Sequence, residues 1–376
     1  LIAERLLSGD ERMPIDFDEG RWEKVRETYR LWWAGRLDRP IVPVELEGRD
    51  PGREKPSAPL LSQATCTDLS VSPENLVDRL DYELSTKIYL GDAFPFFDMG
   101  CFGPGVVAAF LGARLDNSTG RVWFHPQEAL PITELHFEYD ADNIWFKRLK
   151  DICAAAMERW QGQVMIGRTD LGGVLDILST FRPGEKLLLD LYDHPEEVKR
   201  VIWEIHEIWH RYFGEINAIL QPVNGGYVDW GGIYSDQPFS MLQCDFCYMI
   251  GPDMFDEFVR PELEATSGRL GRSFYHLDGP GQLPHIDSLL TIDRIDGVQW
   301  VQGFDDPDSA HYPELFRKIH AAGKLIQCYA DFDALDAIIS QIGTGKGIHR
   351  HPKWGYAPIT GSEREIRERL ETYGIE

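Results

Sequence analysis

VMIGRTDLGG at residues 164–173, HPEEVKRVIWEIHEIWHRYFGEI at 194–216 and GGYVDWGG at 225–232 read in turn as strand, helix and strand. In the middle segment Val198, Val201, Ile202, Ile205, Ile208, Trp209 and Tyr212 recur at the spacing that puts them on one helical face. Pro195 suits the first turn of that helix, where a missing N–H costs nothing. The flanking runs are short, and glycine pairs close both of them, as turn signals bound buried strands.

The alternation extends outward. KIYLGDAFPFF (87–97), SMLQCDF (240–246), SFYHLDG (273–279), GVQWVQG (297–303) and KLIQCYAD (324–331) read as further strands. Ser362 and Glu365 form a capping box ahead of a closing helix. Strand and helix alternating this often imply parallel strands joined by right-handed crossovers, hence a barrel or a doubly wound sheet. Several strands end in polar residues, and no phosphate-binding glycine loop has the right flanks; GTGKG at 343–347 lacks half of a Walker loop. The expectation is therefore an α/β fold, a single (β/α)8 TIM-type barrel over 86–376. A helical and irregular N-terminal extension over 1–85 packs on it, with Gly48 to Ser70 and its three prolines the most irregular part.

With 43% hydrophobic and 27% charged residues in 376, the chain has the composition of a globular protein with a large core. Its formal net charge of −24 repels phosphate backbones and anionic lipid headgroups, so nucleic acid and membrane partners are not expected. No apolar run approaches the ~20 residues of a spanning helix. The opening LIAERLLSGDERMP lacks the apolar core of a secretion signal, and the chain reads as cytoplasmic. Six cysteines are too sparse for a disulfide scaffold, which leaves burial or metal ligation.

Chemistry-bearing residues gather at predicted strand ends. In YHLDGPG (275–281), His276 and Asp278 share a strand face and the glycines stop the strand just after them. Such a pair can bind a divalent metal or serve as a base with its orienting acid. The Cys244 to Cys247 spacing invites a zinc or redox reading, but no second such pair exists, so one of the two thiols lining the site competes with plain burial. Cys328, near the end of a later strand, is expected to meet His276 across a barrel mouth or else to be an inert core thiol. Asp170, Asp245 and Asp278 are the candidate catalytic carboxylates. Asp98, Asp229, Trp230, Tyr275, Gln299 and Trp300 are the candidate substrate contacts, in a pocket walled by aromatic rings.

These segments together resemble the uroporphyrinogen decarboxylase superfamily, closest to its cobalamin-linked, zinc-dependent methyltransferase branch, from roughly Lys87 to the end. The resemblance rests on VMIGRTDLGGVLDIL, LLLDLYDHPEEVKRVI, MIGPDMFDEFVRPEL, FYHLDGPGQLPHIDSLL, AGKLIQCYADFDAL and YAPITGSEREIRERL. It implies one β/α barrel with its site at the C-terminal mouth. In the methyltransferase branch a His-x-Cys and a later Cys hold zinc; carried over, His276 matches the histidine, Asp278 stands in place of the first cysteine and Cys328 falls near the second. The implied metal set is thus His276, Asp278 and Cys328; from the Cys-x-x-Cys itself, Cys247 or Cys244 is a candidate further ligand. The implied cofactors are zinc and a corrinoid carried by a partner protein, and the implied activity is methyl transfer involving a small molecule. LWWAGRLDRP shares only AGR with the arginine-rich, substrate-clasping opening of the heme-pathway decarboxylases, which argues against uroporphyrinogen itself as the substrate. A hydrolase or lyase on a polar small molecule such as a sugar derivative, decarboxylation as in the parent family, and a non-catalytic binding barrel are the alternatives. A homodimer is the assembly left open.

Overall fold

The computed structural model describes residues 15–303, 308–352 and 359–375. The opening LIAERLLSGDERMP and the first residues of YAPITGSEREIRERL lie outside the described residues. In chain order the principal elements are α1 (Glu19–Trp33), β1 (Pro43–Glu47), α2 (Pro73–Ser85), β2 (Lys87–Gly91), β3 (Phe96–Asp98), β4 (Arg114–Asp116), β5 (Trp123–His125), α3 (Ile144–Trp160), β6 (Met165–Gly167), α4 (Val174–Phe181) and α5 (Pro195–Leu220). There follow β7 (Phe239–Gln243), α6 (Arg260–Arg269), β8 (Arg272–Asp278), β9 (Gly297–Val301), α7 (Pro313–Ala321), β10 (Leu325–Cys328), α8 (Phe332–Ile342), β11 (Ile348–Arg350) and α9 (Glu363–Thr372).

The architecture is mixed α/β around a five-stranded sheet of order β11-β10-β9-β8-β7, parallel throughout. Its strands are joined by helical crossovers, as parallel neighbours require. All seven apolar positions read from the helical period of 194–216 are buried in α5. The capping box of α9 is present, with Ser362 and Glu365 bonding reciprocally.

Two expectations need correction. The run 87–97 is not one strand: β2 pairs antiparallel with β1, whereas β3 pairs parallel with β6. The break falls at Asp92, whose carboxylate binds Arg39 and accepts the Val42 N–H at 2.9 Å, drawing the chain aside. The run 225–232 makes only isolated bridges, Arg168 with Asp229 and Tyr227 with Ser235. There the Asp229 carboxylate replaces ladder bonds, accepting the N–H of Met241 at 2.6 Å and of Gly231 at 3.0 Å.

Among the described residues the hydrogen-bonded ladder does not close into a ring. Its parallel pairings are the five-stranded sheet, the β3–β6 pair and the isolated bridges Arg168–Asp229 and Ile41–His349, while β1–β2 and β4–β5 pair separately. At the open edge of β11, Ile41 pairs with His349 and accepts the Arg350 N–H at 2.9 Å, so a segment preceding β1 occupies that edge. The same N-terminal region contributes Trp22, Tyr29 and Trp32 of α1 to the core, where Trp32 stacks on Phe274 of β8. No helix among the described residues is long and apolar enough to cross a membrane.

Candidate metal centre and its surroundings

Side chains alternate across a strand, so register decides which residues share a face. Across the five-stranded sheet Gln243 pairs with His276, His276 with Gln299, Gln299 with Gln327, and Gln327 with His349. Five polar residues thus line one transverse row. On the opposite face Leu277, Trp300, Cys328 and Arg350 form the neighbouring row by the same register.

β8 ends at Asp278 because Gly279 turns the backbone with φ 78°, a left-handed value that costs glycine nothing. His276 and Asp278 therefore stand together at the strand's carboxyl end. Asp245 arrives from the turn after β7, held there by Asp176 of α4, whose carboxylate accepts the N–H of Asp245 at 3.0 Å and of Phe246 at 2.8 Å. That clasp needs a close approach of α4 to β7. A Cβ on Gly173 would lie 2.1 Å from the Gln243 carbonyl oxygen, so only glycine fits.

One ligand atom from each of Asp245, His276 and Asp278 lies within 4.8 Å of the other two. Nε2 of His276 is 3.8 Å from Oδ2 of Asp278, while its Nδ1 bonds Oε1 of Gln299. Trp230 sets its ring edge-on to the imidazole at 5.0 Å between centroids. The surrounding charge is crowded and negative. Burial, reinforced by Asp245, pushes the Asp170 carboxyl up to about 6. Burial likewise raises Asp176 well above the usual carboxylate range, with Asp245 adding to it, and raises Asp245, with Asp278 adding to it. Asp245 is open to solvent and still walled by protein, as a group in a concave mouth should be. A divalent cation is what three such atoms amid surplus carboxylates can hold.

Beside the triad a cleft of about 820 Å³ runs between the β4–β5 hairpin and α4, lined among others by Arg121, Trp123, Phe124, Asp176, Gln243 and Asp245. This is the size of a small-molecule site. Trp123 stands 58% exposed on its rim, which marks the cleft as an aromatic-edged opening.

The other sequence candidates disperse. Gln299 and Trp230 touch His276, and Asp170 adjoins the triad electrostatically. Asp98 lies at the end of β3, accepting the Gly100 N–H at 2.8 Å. Asp229 is a fully buried structural carboxylate beside Arg168, at 3.4 Å. Four residues lie away from the triad, and each is a correction. Cys328 is one residue out of phase with Gln327, so it lies on the other face, fully buried, with burial pushing its thiol up to about 12. Trp300 shares that face and packs edge-on against Tyr312. Tyr275, also out of phase with His276, donates to Gln282 Oε1 at 3.0 Å. Cys247 is sealed in a short helical turn, its carbonyl taken by His285 Nε2 at 2.9 Å. Cys244, the other thiol considered, is buried as well, and burial raises its thiol well above the usual range.

Asp176, Gln327, His349 and Tyr29 escaped the sequence reading. The usable signal was a polar residue at or near the end of five successive β-runs, at Gln243, His276, Gln299, Gln327 and His349.

No family model matches the chain, and no curated protein matches its sequence. The solved structure of a methyltransferase from Methanosarcina mazei superposes on 93% of this chain and 97% of its own, with a TM-score of 0.57 at 12% identity. At that identity the likeness is one of fold.

Proposed function

We propose that the chain is a metal-dependent enzyme transferring a methyl group to or from a small molecule, with Asp245, His276 and Asp278 as the ligands of a divalent cation. The observation that carries this reading is the convergence of their ligand atoms within 4.8 Å at a strand end beside an 820 Å³ cleft. One imidazole and two carboxylates form a harder set than the thiolate site the resemblance implies, and they suit zinc, manganese or ferrous iron. Zinc is the ion we favour. Such a cation lowers the pKa of a coordinated hydroxyl or water and so makes an oxygen nucleophile.

The chain's own groups supply the rest. Asp170, whose carboxyl burial and Asp245 push up to about 6 in the metal-free chain, is ionised at neutral pH and adjoins the triad as the base to take that proton. Asp176 holds Asp245 through two backbone N–H groups, so it keeps a ligand in place without touching the cation. Trp230 shields one flank of the imidazole from water. Methyl transfer, rather than another group transfer, is supported by the fold shared with the Methanosarcina mazei methyltransferase and by the sequence resemblance. In the same proposal a corrinoid on a partner protein is the methyl carrier, and the fold is an incompletely bonded (β/α)8 barrel.

A second reading, acid–base hydrolysis of a polar small molecule, is favoured by the raised carboxyls of Asp170 and Asp176, which could act without metal. Elemental analysis of protein purified without added metal separates the two. Methyl transfer from methylcobalamin to a panel of small alcohols and thiols, run with and without chelator, supplies the activity. One bound divalent ion per chain and chelator-sensitive transfer support the proposal; metal-free protein with chelator-indifferent hydrolysis overturns it in favour of the second reading.

A further inference from the structure

Four of the five residues in the polar row, His276, Gln299, Gln327 and His349, form a continuous chain of hydrogen bonds with a fixed direction. Gln327 Nε2 lies 2.7 Å from the Gly231 carbonyl oxygen and 3.1 Å from His349 Nδ1. Gln299 Nε2 donates to Gln327 Oε1 at 2.6 Å, Gln299 Oε1 faces His276 Nδ1, and His349 Nε2 lies 3.0 Å from the Tyr29 hydroxyl. Gln299, Gln327, His349 and Tyr29 are fully buried, so no water can exchange for a partner.

A backbone carbonyl can only accept. The group of Gln327 that meets Gly231 must therefore be its NH₂, which turns Oε1 toward Gln299. That oxygen needs a donor, so Gln299 presents NH₂ to Gln327 and its own oxygen to His276. An oxygen at Nδ1 demands an N–H there. At the other end the NH₂ of Gln327 requires a bare Nδ1 on His349, which puts the proton of that neutral ring on Nε2, toward Tyr29. The two histidines end the chain in opposite tautomers.

We infer that the Gly231 carbonyl, acting through Gln327 and Gln299, fixes His276 as the Nδ1–H tautomer and leaves Nε2 as a bare lone pair facing the carboxylates of Asp245 and Asp278. Gln299 and Gln327 are positioning residues for a cation ligand. Nε2 lies 3.8 Å from Asp278 Oδ2, and a lone pair beside an anion is repulsive unless a cation joins them. The relay thus builds a site that favours a cation before one binds. The Gly231 peptide is itself held, because its N–H donates to Asp229 Oδ1 and a Cβ at that position would come within 2.8 Å of the Met241 methyl. The buried Asp229 therefore supports the same end of the chain. The functional consequence rests on the metal reading above; the tautomer assignment does not.

The test is the long-range ¹H–¹⁵N correlation of the histidine rings in metal-free protein at about pH 8, above the usual imidazole range. His276→Gln and His349→Gln assign the signals by their loss. The expected spectrum shows His276 protonated at Nδ1 and His349 at Nε2. His276 protonated at Nε2, or both rings in one tautomer, overturns the inference, and this readout needs no folded variant beyond those used for assignment. Gln299→Leu is expected to release His276 into mixed tautomers and to weaken Zn²⁺ affinity about 10–100-fold. Gln299→Glu, which when protonated donates to Gln327 Oε1 and keeps its other oxygen as an acceptor at Nδ1, should restore the single tautomer. An unmoved tautomer in Gln299→Leu also overturns the inference. Wild-type protein with opposite tautomers and no metal uptake would end the metal reading and leave the relay standing; metal uptake with the wrong tautomer would do the reverse.

Discussion

Nε2 of His276 lies 3.8 Å from Oδ2 of Asp278, two residues along the same strand. Residues two apart in a strand sit about 6.6–6.8 Å apart along it, so the two side chains lean toward each other over the strand end. Both therefore address one point, and Asp278→Ala should remove a ligand while leaving the fold intact. Zinc affinity measured by competitive titration is expected to fall by more than the about 10–100-fold that outer-sphere changes cost. An unchanged affinity would remove Asp278 from the site.

Cys328 gives the opposite expectation. Its side chain is fully buried on the far face of β10, so Cys328→Ala should leave metal affinity untouched. The cost should appear as about 1 kcal/mol of stability in urea unfolding. Loss of metal with stability retained would contradict the register argument.

The sequence made much of this legible, and strand parity explains where it stopped. The helical period of 194–216 and the glycine stop after Asp278 are local signals, and both hold in α5 and β8. Which residue of LIQC faces the site is not local. The one-residue difference between Gln327 and Cys328 exchanges the faces, and only pairing with β9 and β11 decides it. Asp245 was legible as a carboxylate near a strand end, but its approach to His276 depends on the clasp from Asp176, 69 residues away in sequence. The open edge at β11 was unreadable for a similar reason, because Ile41 reaches it from beyond 300 residues earlier.

Asp170 should set a pH dependence. Its folded carboxyl titrates near 6 against an ordinary value near 4, so between those values the native state holds a proton that the unfolded state has lost. Stability of the metal-free protein should therefore fall as pH rises through that window. Asp170→Asn should flatten the fall, although Asp176 and Asp245, raised in the same sense, keep part of it. Thermal unfolding at a series of pH values measures this, and an identical slope in variant and wild type would refute it. In turnover the bound cation's own charge would draw that carboxyl down, so the wild-type rate should climb as the base ionises at or below about pH 6, and Asp170→Asn should lose that limb.

Asp229 answers for structure. Its removal would leave Arg168, 4% exposed, without its ion-pair partner and with only Asp170 as a counter-charge, and the N–H groups of Met241 and Gly231 without acceptors. Asp229→Ala is expected to cost about 3–5 kcal/mol, as breaking a buried pair does. A urea midpoint close to wild type would show that Ser240 and the nearby carbonyls suffice for Arg168.

The proposed donor set of one imidazole and two carboxylates is what cobalt reports most directly. Titrating metal-free protein with Co²⁺ while recording the electronic spectrum should give visible ligand-field bands that saturate at one ion per chain, with no intense near-ultraviolet thiolate charge-transfer band, and no binding in His276→Ala. A thiolate band that vanishes in Cys328→Ala or Cys247→Ala, or saturation unaffected by loss of His276, would contradict the account.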